Sequence, residues 1–210
     1  MKNVLLFGST GYVGTHFIER NIKKYNIIEV GRREFDFLDP DIDSLVKSLR
    51  NTKFDAVVFL QGINPCNGVD DITEEQFFNM LKINITTPHE IIRSINPWIS
   101  YEGSVVFMSS IARKKGSYDP SYATSKAGLV GLQQTMSNAF PFLRFNTVSL
   151  GLVKNSRVHR SMTDDFEKKH IDAMGGKLVH VDDACKAIEF LIECNSVNRS
   201  IVSVDRGFKL

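Results

Sequence analysis

Short apolar runs separated by amphipathic segments constrain the fold of this chain more than any other feature of its sequence. Six such runs are rich in β-branched and aromatic residues and occupy residues 3–8, 26–31, 55–62, 104–110, 145–151 and 200–205. Because these runs are apolar at consecutive positions, we expect strands that are buried on both faces, as in a parallel sheet covered by helices. The intervening segments predict helices at about 14–24, 40–51, 73–96, 121–139 and 182–194. The alternation predicts an α/β fold with a doubly wound parallel sheet and helices on both faces.

The length favours a single domain over residues 1–210, because two domains would each bury too little apolar surface. One charged segment, residues 154–177, interrupts the alternation of strands and helices. It contains a predicted helix from about Thr163 to Met174 that ends at Gly175. The segment follows a predicted strand end, where open α/β sheets bind their ligands. It is therefore either a lid over a substrate or a simple surface excursion.

The composition excludes several kinds of partner. With 42% apolar residues, 24% charged residues and a formal net charge of +2, it lacks the basic excess of a nucleic-acid-binding protein. Three cysteines without CxxC spacing predict reduced thiols, and five histidines without ligand spacing predict no metal site. No apolar run is long enough for a secretory signal or a membrane span. We therefore expect a cytoplasmic protein that binds neither nucleic acid nor membranes.

A glycine-rich turn follows the first predicted strand and opens the first predicted helix. Its residues are Gly8, Ser9, Thr10, Gly11, Tyr12, Val13 and Gly14. Glycines at this spacing allow a sharp turn, close approach of the backbone to a pyrophosphate, and close packing of helix on strand. The helix N-terminus supplies N–H donors to the phosphates. The turn predicts a dinucleotide-binding site; the alternative is a strand–helix turn with incidental glycines.

The second predicted strand ends in residues that bear on the choice of dinucleotide. Gly31 stands where a carboxylate would bind the ribose 2′-hydroxyl, and Arg32 and Arg33 follow it. Because arginine suits a 2′-phosphate, the sequence favours NADP(H) over NAD(H), unless both arginines are solvated turn residues. Asp36 could accept a hydrogen bond from the adenine amino group or could equally cap a turn.

Residues 109–126, SSIARKKGSYDPSYATSK, contain a possible proton-transfer site. Tyr122 and Lys126 are four residues apart on a predicted helix and so share one face. A lysine ammonium beside a phenol lowers the phenol's pKa, which makes a general acid or base of it. Ser110, at the end of the fourth predicted strand, could donate a hydrogen bond to the same substrate oxygen. The alternative is a surface helix with one exposed tyrosine and one exposed lysine.

Taken together, these motifs resemble those of the short-chain dehydrogenase/reductase family over essentially all 210 residues. The resemblance implies a Rossmann-type fold in which Tyr122 is the catalytic acid/base and Ser110 orients the substrate carbonyl. It implies that Lys126 binds the nicotinamide ribose and lowers the pKa of Tyr122. It implies that Asn84, in the stretch LKINITTP, holds a water for proton relay. It also implies a homodimer or homotetramer, paired through the helices that carry Asn84 and Tyr122.

The sequence departs from the family pattern near the cofactor. The GxxGxxG spacing of the turn is that of the family's longer branch, which modifies sugar nucleotides, although the chain ends at Leu210 without room for that branch's substrate domain. Leu60-Gln61-Gly62 replaces Asn-Ala-Gly. Gly62 would still let the backbone pass the cofactor, and Gln61 or Asn64 could supply the missing hydrogen bonds. Asn155 stands where a threonine often contacts the cofactor amide.

Two further departures concern the region of the catalytic serine. The interval from Ser110 to Tyr122 is one residue shorter than usual, so Ser109 remains an alternative to Ser110. The basic run from Arg113 to Lys115 either meets an anionic substrate or faces water, and we favour water.

The sequence therefore predicts an NADP(H)-dependent oxidoreductase. Such an enzyme would transfer a hydride between the nicotinamide and a carbonyl or alcohol carbon of a small molecule, with Tyr122 as general acid/base. One alternative is a non-catalytic NADP(H)-binding sensor or regulatory protein. Another is a reductase or epimerase that acts on a nucleotide sugar.

Overall fold

A six-stranded parallel sheet forms the centre of the computed structural model, which describes residues 1–209. The strands are β1 (Lys2–Phe7), β2 (Tyr25–Val30), β3 (Phe54–Phe59), β4 (Ile99–Ser110), β5 (Arg144–Leu150) and β6 (Ile201–Val204). They lie in the order β2-β1-β3-β4-β5-β6, and every neighbouring pair is parallel. The strand order reverses between β1 and β3, so the ligand crevice of such a sheet is expected beyond the carboxyl ends of these strands. The predicted doubly wound, Rossmann-type fold is confirmed.

Helices cover both faces of the sheet. They are α1 (Tyr12–Asn21), α2 (Ile42–Leu49), α3 (Glu74–Leu81), α4 (Thr87–Ile95), α5 (Ala112–Lys115), α6 (Pro120–Ala139), α7 (Arg157–Arg160), α8 (Asp164–Ala173) and α9 (Val181–Glu193). The helix predicted in the charged segment corresponds to α8. The four-residue helices α5 and α7 were not predicted, because they are too short to show an apolar period. Within the described residues, no helix is both long and apolar enough to cross a membrane.

Each face of the sheet has its own apolar core. On one face, Phe7, Phe59 and Phe107 are register partners on β1, β3 and β4. The ring centroids of Phe7 and Phe59 are 4.9 Å apart and those of Phe59 and Phe107 are 5.5 Å apart, both in stacked geometry. Phe145 of β5 continues this row, with its ring 6.5 Å from that of Phe107. The row fixes the register of the four central strands, because a slip would move these rings out of the core.

The single helix predicted over residues 73–96 is wrong in one respect. A π-helical turn at Lys82–Thr86 separates α3 from α4, and the N–H of Thr87 donates to the carbonyl of Lys82. Pro88 offers a physical reason. Proline lacks an N–H, and in a regular α-helix its ring would clash with the carbonyl four residues earlier, that of Asn84. The wider turn relieves this conflict, and Asn84 lies within it.

A buried arginine, Arg144, caps the C-terminus of α9. Its guanidinium donates to the carbonyls of Leu191, Ile192, Cys194 and Val197 at distances of 2.9 to 3.3 Å. These carbonyls lie at or beyond the helix end, where the backbone lacks helical partners and the dipole favours a cation. Arg144 thereby ties β5 to the helix that covers the second core.

We expect Arg144→Met to lower the free energy of unfolding by about 3 kcal/mol, because it removes the charge-assisted hydrogen bonds that the guanidinium donates at the end of α9. Arg160→Met, at an exposed position in α7, serves as the matched control and should change stability by less than about 0.5 kcal/mol. Urea denaturation followed by circular dichroism measures both. Equal stability of the two variants would contradict the capping role.

Candidate active site

The four residues predicted to be catalytic come together beyond the carboxyl ends of β3 and β4. Ser110 is the last residue of β4, Tyr122 and Lys126 lie in the first turns of α6, and Asn84 lies in the π-helical turn. The Ser110 side chain lies close enough to the Tyr122 hydroxyl to lower its pKa. The Lys126 Nζ donates to the Asn84 Oδ1 at 3.2 Å. Residues up to 42 positions apart in the chain thus form one cluster of polar side chains.

Lys126 is the most deeply enclosed charged group at this site, with 4% of its surface exposed. Its Nζ also donates to the carbonyl of Met108 at 2.9 Å, and no carboxylate forms an ion pair with it among the described residues. Burial without a counter-charge lowers the pKa of Lys126 from 10.5 to about 8. This lysine can therefore exchange a proton close to neutral pH.

Lys126 is not among the groups that shift the pKa of Tyr122 in this structure, so the expectation that it lowers this pKa stays a prediction. Burial is the largest influence on the Tyr122 hydroxyl and raises its pKa, whereas the hydrogen bond with Ser110 lowers it. The Lys126 Nζ lies 5.8 Å from the centroid of the Tyr122 ring and is directed to Asn84 and Met108. An ammonium so placed stabilises the phenolate less than one at the hydroxyl would.

The two serines at the end of β4 have different environments. Ser109 is 2% exposed, and its Oγ donates to the backbone carbonyl of Lys126 at 2.7 Å. It ties β4 to α6 and is not available to a substrate. The Ser110 Oγ accepts the N–H of Ala112 at 3.2 Å and is close enough to Tyr122 to lower its pKa. The short interval in the sequence is thus accommodated by the turn into α5, and the geometry favours Ser110.

Asn84 is held from three sides. Its Oδ1 accepts from Lys126, and its Nδ2 lies 3.0 Å from both the Ser125 Oγ and the Met80 Sδ. Gly128 lies beside Ile85, where a Cβ would lie 2.6 Å from the flexible end of the Ile85 side chain, its Cδ1. The π-helical turn places the amide of Asn84 within hydrogen-bonding distance of Lys126.

The glycine-rich turn bends sharply and contacts the neighbouring strand end. Gly8 has a φ of +79°, and a Cβ there would lie 2.6 Å from the backbone N of Gln61. A Cβ at Gly14 would press on the carbonyl oxygens of Gly8 and Ser9, so only glycine lets α1 pack so close to the turn. Gly11 is the N-cap of α1 and leaves the first N–H groups of the helix without a side-chain partner.

A cavity of about 210 Å³ lies next to this turn. Predicted cofactor residues that line it are Gly8, Thr10, Gly11, Arg32, Asp36 and Gly62. The other predicted residues of the turn, and the exposed Arg33, do not line it. The Asp36 Oδ1 accepts the N–H of Leu38 at 2.8 Å, so Asp36 both caps a turn and faces the cavity.

Gln61 gives this cavity an unsatisfied acceptor. Its Nε2 donates weakly to the carbonyl of Ile83 at 3.4 Å, whereas its buried Oε1 has no hydrogen-bond partner among residues 1–209. Buried polar atoms in native proteins are normally satisfied, so this oxygen is expected to accept a bond from a ligand. A glycine-lined cavity with helix N–H groups and an open acceptor fits a dinucleotide.

Glu34 does not line the cavity, but it contacts Gly31, which does, and the sequence analysis missed it. Its Oε2 accepts the N–H of Gly31 at 2.9 Å. A Cβ at Gly31 would lie 2.7 Å from this oxygen and 3.4 Å from the Ser9 Oγ. Glu34 therefore brings a carboxylate to the place where a side chain of residue 31 would be. The signal available in the sequence was an acidic residue one turn beyond the glycine.

A family model described as "Enoyl-(Acyl carrier protein) reductase" matches residues 37–209, which is most of the chain. The chain belongs to the short-chain dehydrogenase/reductase family. Asnovolin H dehydrogenase nvfC of Aspergillus novofumigatus is 24% identical over 188 residues, which cover 80% of this chain and 73% of that protein. Dehydrogenase/reductase SDR family member 4 of Homo sapiens is 34% identical over 122 residues, or 55% of this chain and 43% of that protein.

Solved structures of short-chain dehydrogenases share the fold. A small-chain dehydrogenase in complex with NADPH has a TM-score of 0.85 at 18% identity. The alignment covers 98% of this chain and 97% of that dehydrogenase. A 4-hydroxyisoleucine dehydrogenase complexed with NADH has a TM-score of 0.84 at 19% identity. The alignment covers 99% of this chain and 98% of that dehydrogenase.

Two of the three residues in the basic run of this short-chain dehydrogenase/reductase, Arg113 to Lys115, contact other side chains of the protein. The Arg113 Nε donates to the buried Ser149 Oγ at 3.1 Å, and the Lys115 Nζ lies 5.8 Å from the centroid of the Phe208 ring. Lys114 is exposed. Within residues 1–209, no three His, Cys, Asp or Glu side chains are grouped so that they could hold a metal ion.

The lowered pKa of Lys126 predicts a pH-dependent contribution to stability. Between a folded pKa of about 8 and an unfolded value near 10.5, the unfolded chain binds the extra proton, so stability rises with pH in this window. Relative to Lys126→Met, the wild type should gain about 1 kcal/mol in the free energy of unfolding from pH 7 to pH 9. Denaturant titrations at both pH values measure the difference. Lys114→Met, at an exposed position, is the control, and the wild type should gain no stability relative to it between the two pH values. If the wild type gained as much relative to Lys114→Met as relative to Lys126→Met, burial of Lys126 would not be the cause.

Proposed function

We propose that this short-chain dehydrogenase/reductase is an NADP(H)-dependent oxidoreductase that interconverts a carbonyl and an alcohol of a small molecule. The observation that carries the proposal is the grouping of Ser110 and Tyr122 at the sheet edge, close enough for Ser110 to lower the pKa of Tyr122, with Lys126 bonded to Asn84 behind them. A hydroxyl pair of this kind can hold a carbonyl oxygen and give it a proton. The cofactor, when bound, supplies or accepts the hydride.

In the reducing direction, Tyr122 donates its hydroxyl proton to the substrate oxygen as the carbonyl carbon gains a hydride. Ser110 donates a hydrogen bond to the same oxygen and orients it. The raised pKa keeps Tyr122 protonated at neutral pH, which suits the role of acid. Lys126, with a pKa of about 8, is able to return a proton towards Tyr122, and Asn84 holds its ammonium in place.

The cavity beside the glycine-rich turn supports a nicotinamide dinucleotide as the cofactor. Gly8 and Gly11 would approach the pyrophosphate, and Arg32 and Asp36 line the adenosine end. The similar solved structures that contain NADPH or NADH agree with this class of cofactor. NADP(H) is favoured by Arg32, which forms no ion pair with any carboxylate of the described chain. Glu34 opposes this preference, because its carboxylate would repel a 2′-phosphate.

The remaining expectations stay proposals. Residues 154–177 contain α7 and α8, joined by the 3.0 Å contact between the His159 Nε2 and the Glu167 Oε1, and we propose them as the substrate lid. We also retain the homodimer or homotetramer and the cytoplasmic location. Exposed Phe78 on α3 and small residues such as Ala127 on the outer side of α6 suit pairing of these helices.

We expect Tyr122→Phe to lower kcat by roughly 10²- to 10⁴-fold, because it removes the proton donor. NADPH binding should change little. Stopped-flow reduction of a panel of aldehydes and ketones measures turnover, and NADPH fluorescence measures binding. Unimpaired turnover would refute the role of Tyr122. A wild type that binds NADPH but reduces nothing in the panel would favour the non-catalytic alternative.

We expect Glu34→Gln to raise the ratio of NADPH to NADH affinity about tenfold, because it removes a negative charge beside the 2′-position. Arg32→Ala should lower the same ratio by a similar factor. Fluorescence titration of each variant with both cofactors gives the ratios. Lys47→Ala on α2, which lies outside the cavity lining, is the charge control. An unchanged ratio of NADPH to NADH affinity in Glu34→Gln would show that Glu34 does not contribute to cofactor selection.

A further inference from the structure

Asp119 is a fully buried carboxylate that contacts two separate segments of the chain. It is the N-cap of α6. Its Oδ1 accepts the backbone N–H of Tyr122 at 3.0 Å and the hydroxyl of Ser121 at 2.6 Å. Its Oδ2 accepts the backbone N–H of Asn67, 52 residues away in the chain, at 3.1 Å. No cation forms an ion pair with it in residues 1–209, so neutral donors satisfy the charge.

Capping alone does not require a carboxylate at this position. One side-chain oxygen is enough to cap a helix, and serine or asparagine caps about as well as aspartate. A buried charge is costly unless its oxygens are hydrogen-bonded. Asp119 differs from the simpler caps in having a second acceptor oxygen, and that oxygen binds Asn67. The link to Asn67 therefore accounts for the carboxylate better than the cap does.

Asn67 lies in the loop of residues 60–73, which connects β3 to α3. Its Nδ2 donates to the Gln76 Oε1 at 3.2 Å, and Gln76 forms the capping box of α3. Asn67 is thus bonded to the N-termini of both α3 and α6. Next to it, a Cβ at Gly68 would lie 2.7 Å from the Tyr118 Oη, so the loop packs closely on the residues before α6.

The same loop runs from the cofactor cavity to Tyr122. It begins at Gln61 and Gly62 in the cavity lining. Further along, Cys66 has a left-handed backbone with a φ of +62° and directly precedes Asn67, which is bonded to Asp119. The loop therefore connects the cavity to the helix turn that carries the proposed acid/base.

We propose that Asp119 is a positioning residue, which fixes the loop of residues 60–73 against α6 so that the loop stays in place between the cofactor cavity and the helix turn that carries Tyr122. The inference rests on the proposed function, in which Tyr122 transfers the proton. One oxygen of Asp119 holds the backbone of Tyr122 and the other holds the loop. Loss of the second bond alone should loosen substrate binding while the acid/base stays in place.

The test distinguishes the roles of the two carboxylate oxygens of Asp119. Asp119→Ser keeps an oxygen for the N–H of Tyr122 but is too short to reach Asn67. Amide hydrogen exchange at Asn67 should become about tenfold faster or more, whereas exchange at Tyr122 should change little. For the carbonyl compound that the wild type reduces fastest, KM should rise about tenfold, with kcat within about threefold. Asp119→Ala should lower kcat as well, because it loses both bonds.

Asp41→Ser is the matched control. Asp41 is the N-cap of α2 and accepts only the N–H of Ser44, so this variant should keep the wild-type KM and the wild-type exchange at Asn67. If Asp119→Ser does not fold, Asp119→Asn replaces it. This variant keeps the shape and opposes the N–H of Asn67 with an NH₂ group, so it should give the same KM increase.

Two results would overturn the inference. One is unchanged exchange at Asn67 in Asp119→Ser. The other is an equal fall in kcat for Asp119→Ser and Asp119→Ala with KM unchanged, which would mean that Asp119 acts only as a cap. Either result in an enzyme that reduces carbonyls leaves the proposed function intact. A wild type that reduces no carbonyl refutes the proposed function instead, and exchange at Asn67 then decides the link by itself.

Discussion

The row of stacked phenylalanines across the sheet is the constraint on which the site depends. Phe7, Phe59 and Phe107 occupy one register on three neighbouring parallel strands. Because parallel strands in register end at a common edge, the residues that follow each ring emerge together. The glycine-rich turn, the Gln61 segment and the serines of β4 are therefore brought to one edge by this packing, and Phe59 and Phe107 lie directly beneath Asn84 and Lys126. A slip of one strand by one residue would separate them and would also move its ring to the opposite face of the sheet, away from the stacked row.

Polar side chains, rather than apolar ones, connect the sheet edge to the helices above it. Ser109 bonds the backbone of α6, Lys126 bonds the backbone of β4, and Asp119 joins α6 to the loop after β3. Each of these groups is buried, so each bond is costly to break. Such contacts fix orientation as well as distance, which a proton-transfer site requires.

The sequence predicts the fold and the main site residues because both depend on local patterns. Apolar runs define strands, and the Tyr122–Lys126 spacing and the glycine-rich turn are each contained within a few residues. What it did not predict depends on contacts between distant segments or on turn geometry. Glu34 contacts Gly31 of the cavity lining only because a tight turn returns it there, and Asp119 bonds Asn67, which is 52 residues away in the chain. The raised pKa of Tyr122 likewise follows from burial, which spacing does not reveal.

Lys126 shows how burial and ligand binding are connected at this edge. Its ammonium has three N–H donors, and the protein accepts from it at two places, Met108 and Asn84. A Cβ at Gly62 would lie 3.2 Å from the Nζ, so the absence of a side chain there leaves space beside the ammonium on the cavity side. A ligand hydroxyl in that space would satisfy the third donor and offset part of the desolvation that lowers the pKa of Lys126. Ligand binding should therefore raise this pKa and favour the charged lysine beside the acid/base.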